Sequence, residues 1–138
     1  MKRIIAFDYG TSRIGVAISD PLRITAQPLC TIDVREEGML PDKVKTIMCD
    51  MDIEKAVVGL PLHMTGDEGE LAVKARQFAQ MLEQEFNISV QLWDERLSSR
   101  LADRVMLESD MRRDKRKKRR DVIAAVIILQ NYLDFLSS

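Results

Sequence analysis

Read as pattern alone, the 138-residue chain specifies an α/β protein: a five-stranded mixed sheet, made of an antiparallel meander plus two parallel strands and flanked by helices. Three features carry that expectation. Residues 2–32 hold three β-branched apolar runs separated by short turn signals, the spacing of a meander. Two later apolar runs are each preceded by an amphipathic helical stretch, the spacing of parallel crossovers. The chain then closes on an apolar helical segment.

Each element has its own signal. Lys2 to Phe7 (KRIIAF) is a strand bounded by the turn signal DYGTSR, and Ile14 to Ile18 (IGVAI) returns as its hairpin partner. Ile24 to Ile32 reads as a third strand, which Pro28 either weakens or places at an edge. After Pro41, a helix carries Val44, Ile47, Met48 and Met51 on one face, with the proline near the first turn. Lys55 to Leu60 (KAVVGL) reads as a buried strand running into a loop. Thr65 and Glu68 have capping-box spacing ahead of a long helix whose face is Leu71, Ala75, Phe78, Leu82 and Phe86. Ile88 to Trp93 (ISVQLW) is the last strand, ending in DER. Leu97 and Ser98 then staple and cap a helix through about Glu108, with Leu101, Val105 and Met106 on its apolar face. The final helix opens at Asp121 and runs to the C-terminus.

The length fits one domain over residues 1–138, since a single core serves about 100–200 residues. With 46% apolar and 31% charged residues, the composition excludes a disordered tail. No apolar run approaches the roughly 20 residues needed to cross a bilayer, so no membrane partner is expected. The N-terminal MKRIIAFD passes directly into an acid and a turn, without a secretory signal's apolar region, so the expected location is the cytoplasm. Cys30 and Cys49 lack metal-ligand spacing and are expected to be reduced, packed thiols. The eight methionines are scattered core filler.

A net charge of −1 conceals a strong asymmetry. Arg112 to Arg120 (RRDKRKKRR) holds eight basic residues and one acid, leaving 13 basic and 21 acidic residues elsewhere, a body of net charge −8. A block of like charge repels itself and favours a polyanion, so nucleic acid is the partner it suggests. The plain alternative is a solvated, flexible basic loop.

Three acids complete the pattern. Asp8 closes the first strand, Glu95 follows the last one, and Asp121 opens the final helix. If the first, fourth and fifth strands run parallel, their C-terminal ends share one edge, the edge at which open α/β sheets bind ligands. Asp121 joins them if the last helix packs back across the sheet, and Ala124 and Ala125 are small enough to permit it. Crowded carboxylates need a cation between them, and hard oxygen donors favour Mg²⁺ or Mn²⁺. Such ions, beside a basic patch, suit phosphodiester hydrolysis. Each acid alone has an ordinary reading: turn chemistry for Asp8, surface ion pairing for Glu95 beside Arg96, and a helix first-turn acid for Asp121.

Together FDYGTSRIGVAISD, VVGLP, WDERLSSR and the basic run ending in Asp121 before AAVIILQNYL resemble the YqgF/RuvX family. That family comprises Holliday-junction-resolvase-like nucleases of the RNase H-like fold, implicated in 5′-end processing of pre-16S ribosomal RNA. The resemblance covers nearly the whole chain in order. It implies an RNase H-like fold, and a metal-binding catalytic role for Asp8, Glu95 and Asp121. Precursor rRNA and branched DNA both stand as substrates, and monomer and homodimer are both open.

Nucleic-acid contacts are expected from Thr11 and Arg13 in the turn after Asp8, and from Arg96, Arg100 and Arg104, which recur every four residues. Lys115, Arg116, Lys117, Lys118 and Arg119 of the basic run complete the set. Ordinary turn stabilisation and pairing with Asp103 or Glu108 are the plain alternatives. His63, the single histidine, sits in a loop and reads as incidental, and Trp93 reads as core rather than as a base-stacking residue.

Two other functions compete. The opening motif also looks like the first phosphate loop of the actin-like ATPases, which share the RNase H-like fold. Those proteins clamp a nucleotide between two such domains, and no second loop of that form is present here. A module of the same fold that grips nucleic acid without cutting it is the other.

Overall fold

The computed structural model describes residues 2–35, 40–49, 51–61, 69–94 and 113–137, with 113–121 described as backbone. Five strands form one sheet: β1 (Arg3–Tyr9), β2 (Arg13–Ser19), β3 (Ala26–Asp33), β4 (Ile53–Leu60) and β5 (Ser89–Asp94). Among the described residues three helices accompany it: α1 (Leu40–Met48), α2 (Glu70–Phe86) and α3 (Arg113–Ser137). The strand order is β3-β2-β1-β4-β5. β1–β2 and β2–β3 are antiparallel, and β1–β4 and β4–β5 are parallel. The meander and the two added parallel strands are therefore as the pattern predicted.

Alternation along β1 divides two cores. Ile5, Phe7 and Tyr9 face α1 and α2, packing with Val44, Phe78 and Leu82. Ile4 and Ala6 face α3, packing with Ala125, Ile128, Leu129 and Tyr132. Ala125 is fully buried, so the small residue does allow the helix to lie close on the sheet.

Contacts at the far end of α3 fix its direction. The Gln130 side chain accepts from the Ala26 N–H (2.9 Å) and donates to the Ile24 carbonyl (3.0 Å), and Lys55 Nζ donates to the Tyr132 hydroxyl (2.8 Å). Ala26 pairs with Ser19, whose hydroxyl accepts from the Ile4 N–H, and Lys55 pairs with Ile4. All these groups lie at the edge where β1 and β4 begin. The C-terminal half of α3 therefore sits at that edge, and its N-terminal half extends towards the edge where β1 and β4 end.

Several boundaries differ from the pattern. β3 begins at Ala26, and Pro28 sits at its irregularity, where the register with β2 shifts between Val16 and Ala17. α1 ends at Met48, and Met51, expected on its stripe, instead packs against the core from beyond the helix. α2 begins at Glu70 with Gly69 as an N-cap that makes no side-chain hydrogen bond, so the Thr65/Glu68 spacing does not mark its start. Cys49 is exposed rather than packed, because it follows the last turn of α1, and its Sγ reaches the Thr46 carbonyl (3.2 Å). Cys30 is half-buried, and burial pushes its thiol pKa up, keeping it protonated and unreactive.

The largest difference concerns the basic run. α3 begins at Arg113, so residues 113–120 are helical turns rather than a loop, and Asp121 lies well inside the helix instead of opening it. An acid there is not a first-turn partner of the helix dipole. Helical periodicity continues through the charged residues because Lys and Arg are good helix formers. No helix among the described residues is long and apolar enough to cross a membrane.

Candidate active site

Asp8 is the second-last residue of β1, half-buried, on the face shared with Ile4 and Ala6 and hence on the α3 side. Its neighbours in register are Gly15 on β2 and Gly59 on β4, and Gly59 is in turn opposite Trp93 on β5. Both strands beside the carboxylate thus contribute glycine, so no side chain flanks it along that row. Sequence reasoning did not find this arrangement, because Gly15 and Gly59 are brought beside Asp8 only by the register.

The turn after Asp8 is held tightly. The Gly10 N–H donates to the Arg13 carbonyl at 2.9 Å, and a Cβ on Gly10 would lie 2.6 Å from that same oxygen. Thr11 and Ser12 are exposed at its tip. Arg13 opens β2 half-buried on the face of Gly15 and Ala17, placing it at the same edge and on the same face as Asp8.

α3 approaches this edge from above. Tyr132 stands over the start of β4, eleven residues after Asp121, and at 1.5 Å per residue that is about 16 Å of helix. Ile4 to Asp8 spans about 13 Å of strand. Position 121 lies about one helical turn before Ala125, which packs on the sheet face of Ile4 and Ala6. Residues 113–120 form about 12 Å of helix ahead of position 121.

Glu95, Arg96, Arg100, Arg104, His63 and the helix expected from Ser98 to Glu108 lie outside the described residues, as do the side chains of Asp121 and of Lys115 to Arg119. Asp94, which precedes Glu95, ends β5 opposite Leu60 and faces α2. Among the described residues no three acidic, His or Cys side chains gather at one point. Trp93 packs edge-on against Tyr132 (5.6 Å) and against Phe135 (5.7 Å), as a core residue.

Asp20, the second acid of the opening stretch, is a turn cap. Its Oδ1 accepts from the Ile24 and Thr25 N–H groups (2.7 and 2.8 Å) and its Oδ2 from Leu22 (3.3 Å). The Thr25 bond is the main reason its pKa lies below the usual carboxylate value.

Comparison with known proteins agrees with this architecture. A family model described as RuvX, Holliday junction resolvase, matches residues 2–135. The chain is 46% identical over 134 residues to a protein of Oceanobacillus iheyensis with the provisional name pre-16S rRNA nuclease, covering 96% of this chain and 98% of that one. A Listeria monocytogenes protein with the same provisional name is 44% identical over 134 residues, covering 96% and 97%. Among solved structures, Thermus thermophilus RuvC in complex with a Holliday junction superposes with a TM-score of 0.64 at 13% identity, covering 100% of this chain and 97% of that one. The fowlpox virus resolvase in complex with Holliday junction DNA gives 0.63 at 13%, covering 99% of each. At that identity the likeness is one of fold, and the fold is RNase H-like.

Proposed function

We propose that this chain, which belongs to the RuvX Holliday junction resolvase family, is a metal-dependent nuclease that hydrolyses phosphodiester bonds with Asp8, Glu95 and Asp121 as its catalytic carboxylates. One observation carries the assignment. A half-buried carboxylate, flanked in register by two glycines, lies at the end of β1 on the sheet face that α3 covers.

The other two acids follow by position. Glu95 is the next residue after Asp94, which ends β5 beside Trp93. Asp121 lies about one helical turn before Ala125, which packs on the sheet face that carries Asp8. Three hard oxygen donors suit Mg²⁺ or Mn²⁺, and the glycine row leaves room for hydrated ligands beside Asp8. A divalent ion bound there would activate water and stabilise the leaving oxygen.

The rest is binding. Arg13, at the same edge and face as Asp8, donates to a phosphate oxygen, and Thr11 supplies a hydroxyl from the exposed turn. Lys115, Arg116, Lys117, Lys118 and Arg119, with Arg96, Arg100 and Arg104, neutralise the backbone on either side of the cut. The basic turns stand at the positive end of the α3 dipole, where cations are disfavoured. A polyanion relieves both that effect and their mutual repulsion.

Precursor 16S rRNA and branched DNA are the two substrates that the named relatives and the family description suggest, and maturation of the rRNA 5′ end in the cytoplasm is the favoured role. Purified protein should cut at least one of them in Mg²⁺ or Mn²⁺ and neither in excess chelator. Binding of both without cutting in either metal would make the protein a nucleic-acid-binding module of the same fold.

A further inference from the structure

The strand end that places Asp8 on one face of the sheet places Tyr9 on the other. There Tyr9 and Phe78 form the floor of a cavity of about 300 Å³ between the first turn of α1 and the outer side of α2. Their ring centroids are 5.5 Å apart with planes at 53°, and both residues are buried. Leu40 and Met81 line its walls, and Lys74 and Gln77 line it from exposed positions on α2. None of these side chains has a part in the nuclease site proposed above.

We infer that this cavity receives one unpaired nucleobase from the strand whose phosphate lies at Asp8. The inference rests on the nuclease reading for its choice of ligand, and the chemistry of the cavity supports that choice. The parts of Tyr9, Phe78, Leu40 and Met81 that line the cavity offer a base an apolar contact surface. The Gln77 amide presents a donor and an acceptor, the two functions needed to pair with a base edge. Lys74 supplies a positive charge for an adjoining phosphate. The volume is at the small end of the roughly 300–1,000 Å³ typical of ligand sites, suiting a single base better than an extended ligand.

Position supports it as well. Asp8 and Tyr9 are consecutive, so a strand crossing the sheet edge presents a phosphate to one face and a nearby base to the other. A base reaches such a site only when it is out of its stack, which makes single-stranded, bulged or branched segments the substrate class and disfavours continuous duplex.

The test uses full-length Asp8→Asn protein, so that nothing is cut, and a short single-stranded RNA in which one abasic residue is moved along the sequence. One abasic position should weaken binding roughly 5- to 100-fold, the effect of losing one stacked base. Gln77→Trp, which fills the cavity from an exposed position, should weaken binding of the intact RNA by a similar factor and abolish the abasic effect, leaving duplex binding unchanged. A flat abasic scan, or full-strength RNA binding by Gln77→Trp, overturns the base site. If the wild-type protein meanwhile cuts its substrate, the nuclease reading stands without it; a position-specific scan with no cutting overturns the nuclease reading alone.

Discussion

At the scale of single residues, the opening stretch separates two acids of similar appearance. Asp20 spends its carboxylate on three backbone N–H groups of the β2–β3 turn, whereas Asp8 stands in a row of glycines. Asp20→Ala should lower the melting temperature without changing nucleic-acid affinity. Because the folded-state pKa of Asp20 is depressed, its contribution is present above the ordinary Asp value near 4 and is lost as pH falls through the folded value. The melting temperatures of wild type and Asp20→Ala should therefore converge in acid. Asp33, held down chiefly by its hydrogen bonds with the Arg35 guanidinium, shifts in the same direction, so part of the acid lability should persist in the variant. Gly10→Ala puts a methyl group against the Arg13 carbonyl and should cost about 1–3 kcal/mol in urea unfolding. Asp8, Gly15 and Gly59 were each visible in the sequence. Their alignment in one row was not, since register between β1, β2 and β4 is set by long-range pairing.

At the scale of elements, α3 decides whether the site assembles. Its C-terminal half is anchored by Gln130, by the Lys55–Tyr132 hydrogen bond and by the Trp93–Tyr132–Phe135 ring cluster. Tyr132→Phe removes one buried-edge hydrogen bond and should cost about 1 kcal/mol, read from the urea midpoint. Ala125→Leu inserts methylenes where helix and sheet touch most closely. It should cost about 1–3 kcal/mol and also lower cleavage, because the displaced helix carries position 121 away from Asp8. A loss of stability with unchanged turnover would show that the helix position is irrelevant to the site. The strands and α2 were legible because apolar periodicity is strong there, with Phe78 and Leu82 on the expected face. The start of α3 was not. Eight basic residues and one acid in nine positions carry no apolar period, and a charge block reads equally well as a loop until the downstream helix propagates into it.

At the scale of the whole molecule, function follows from where charge is placed relative to the sheet edge. The body carries the net negative charge, and the cations are concentrated in the first turns of α3. Neutralising Lys115, Arg116, Lys117 and Lys118 together should weaken nucleic-acid binding and flatten its dependence on salt by about 0.7–0.9 in log–log slope for each phosphate contact removed. An unchanged slope would remove the basic turns from the interface. The place of Asp8 at the end of β1 could be foreseen from the sequence, and so could the packing of the last helix on the sheet. The cavity beyond Tyr9 could not, because it depends on how α1 and α2 part over the end of β1. The decisive measurement is cleavage of precursor 16S rRNA and of a four-way DNA junction by wild type and Asp8→Asn side by side in Mg²⁺ or Mn²⁺, with contaminating nuclease excluded and folding verified. Metal-dependent cutting by the wild type and its loss in the folded variant is the predicted result, whereas equal cutting by Asp8→Asn would contradict the site.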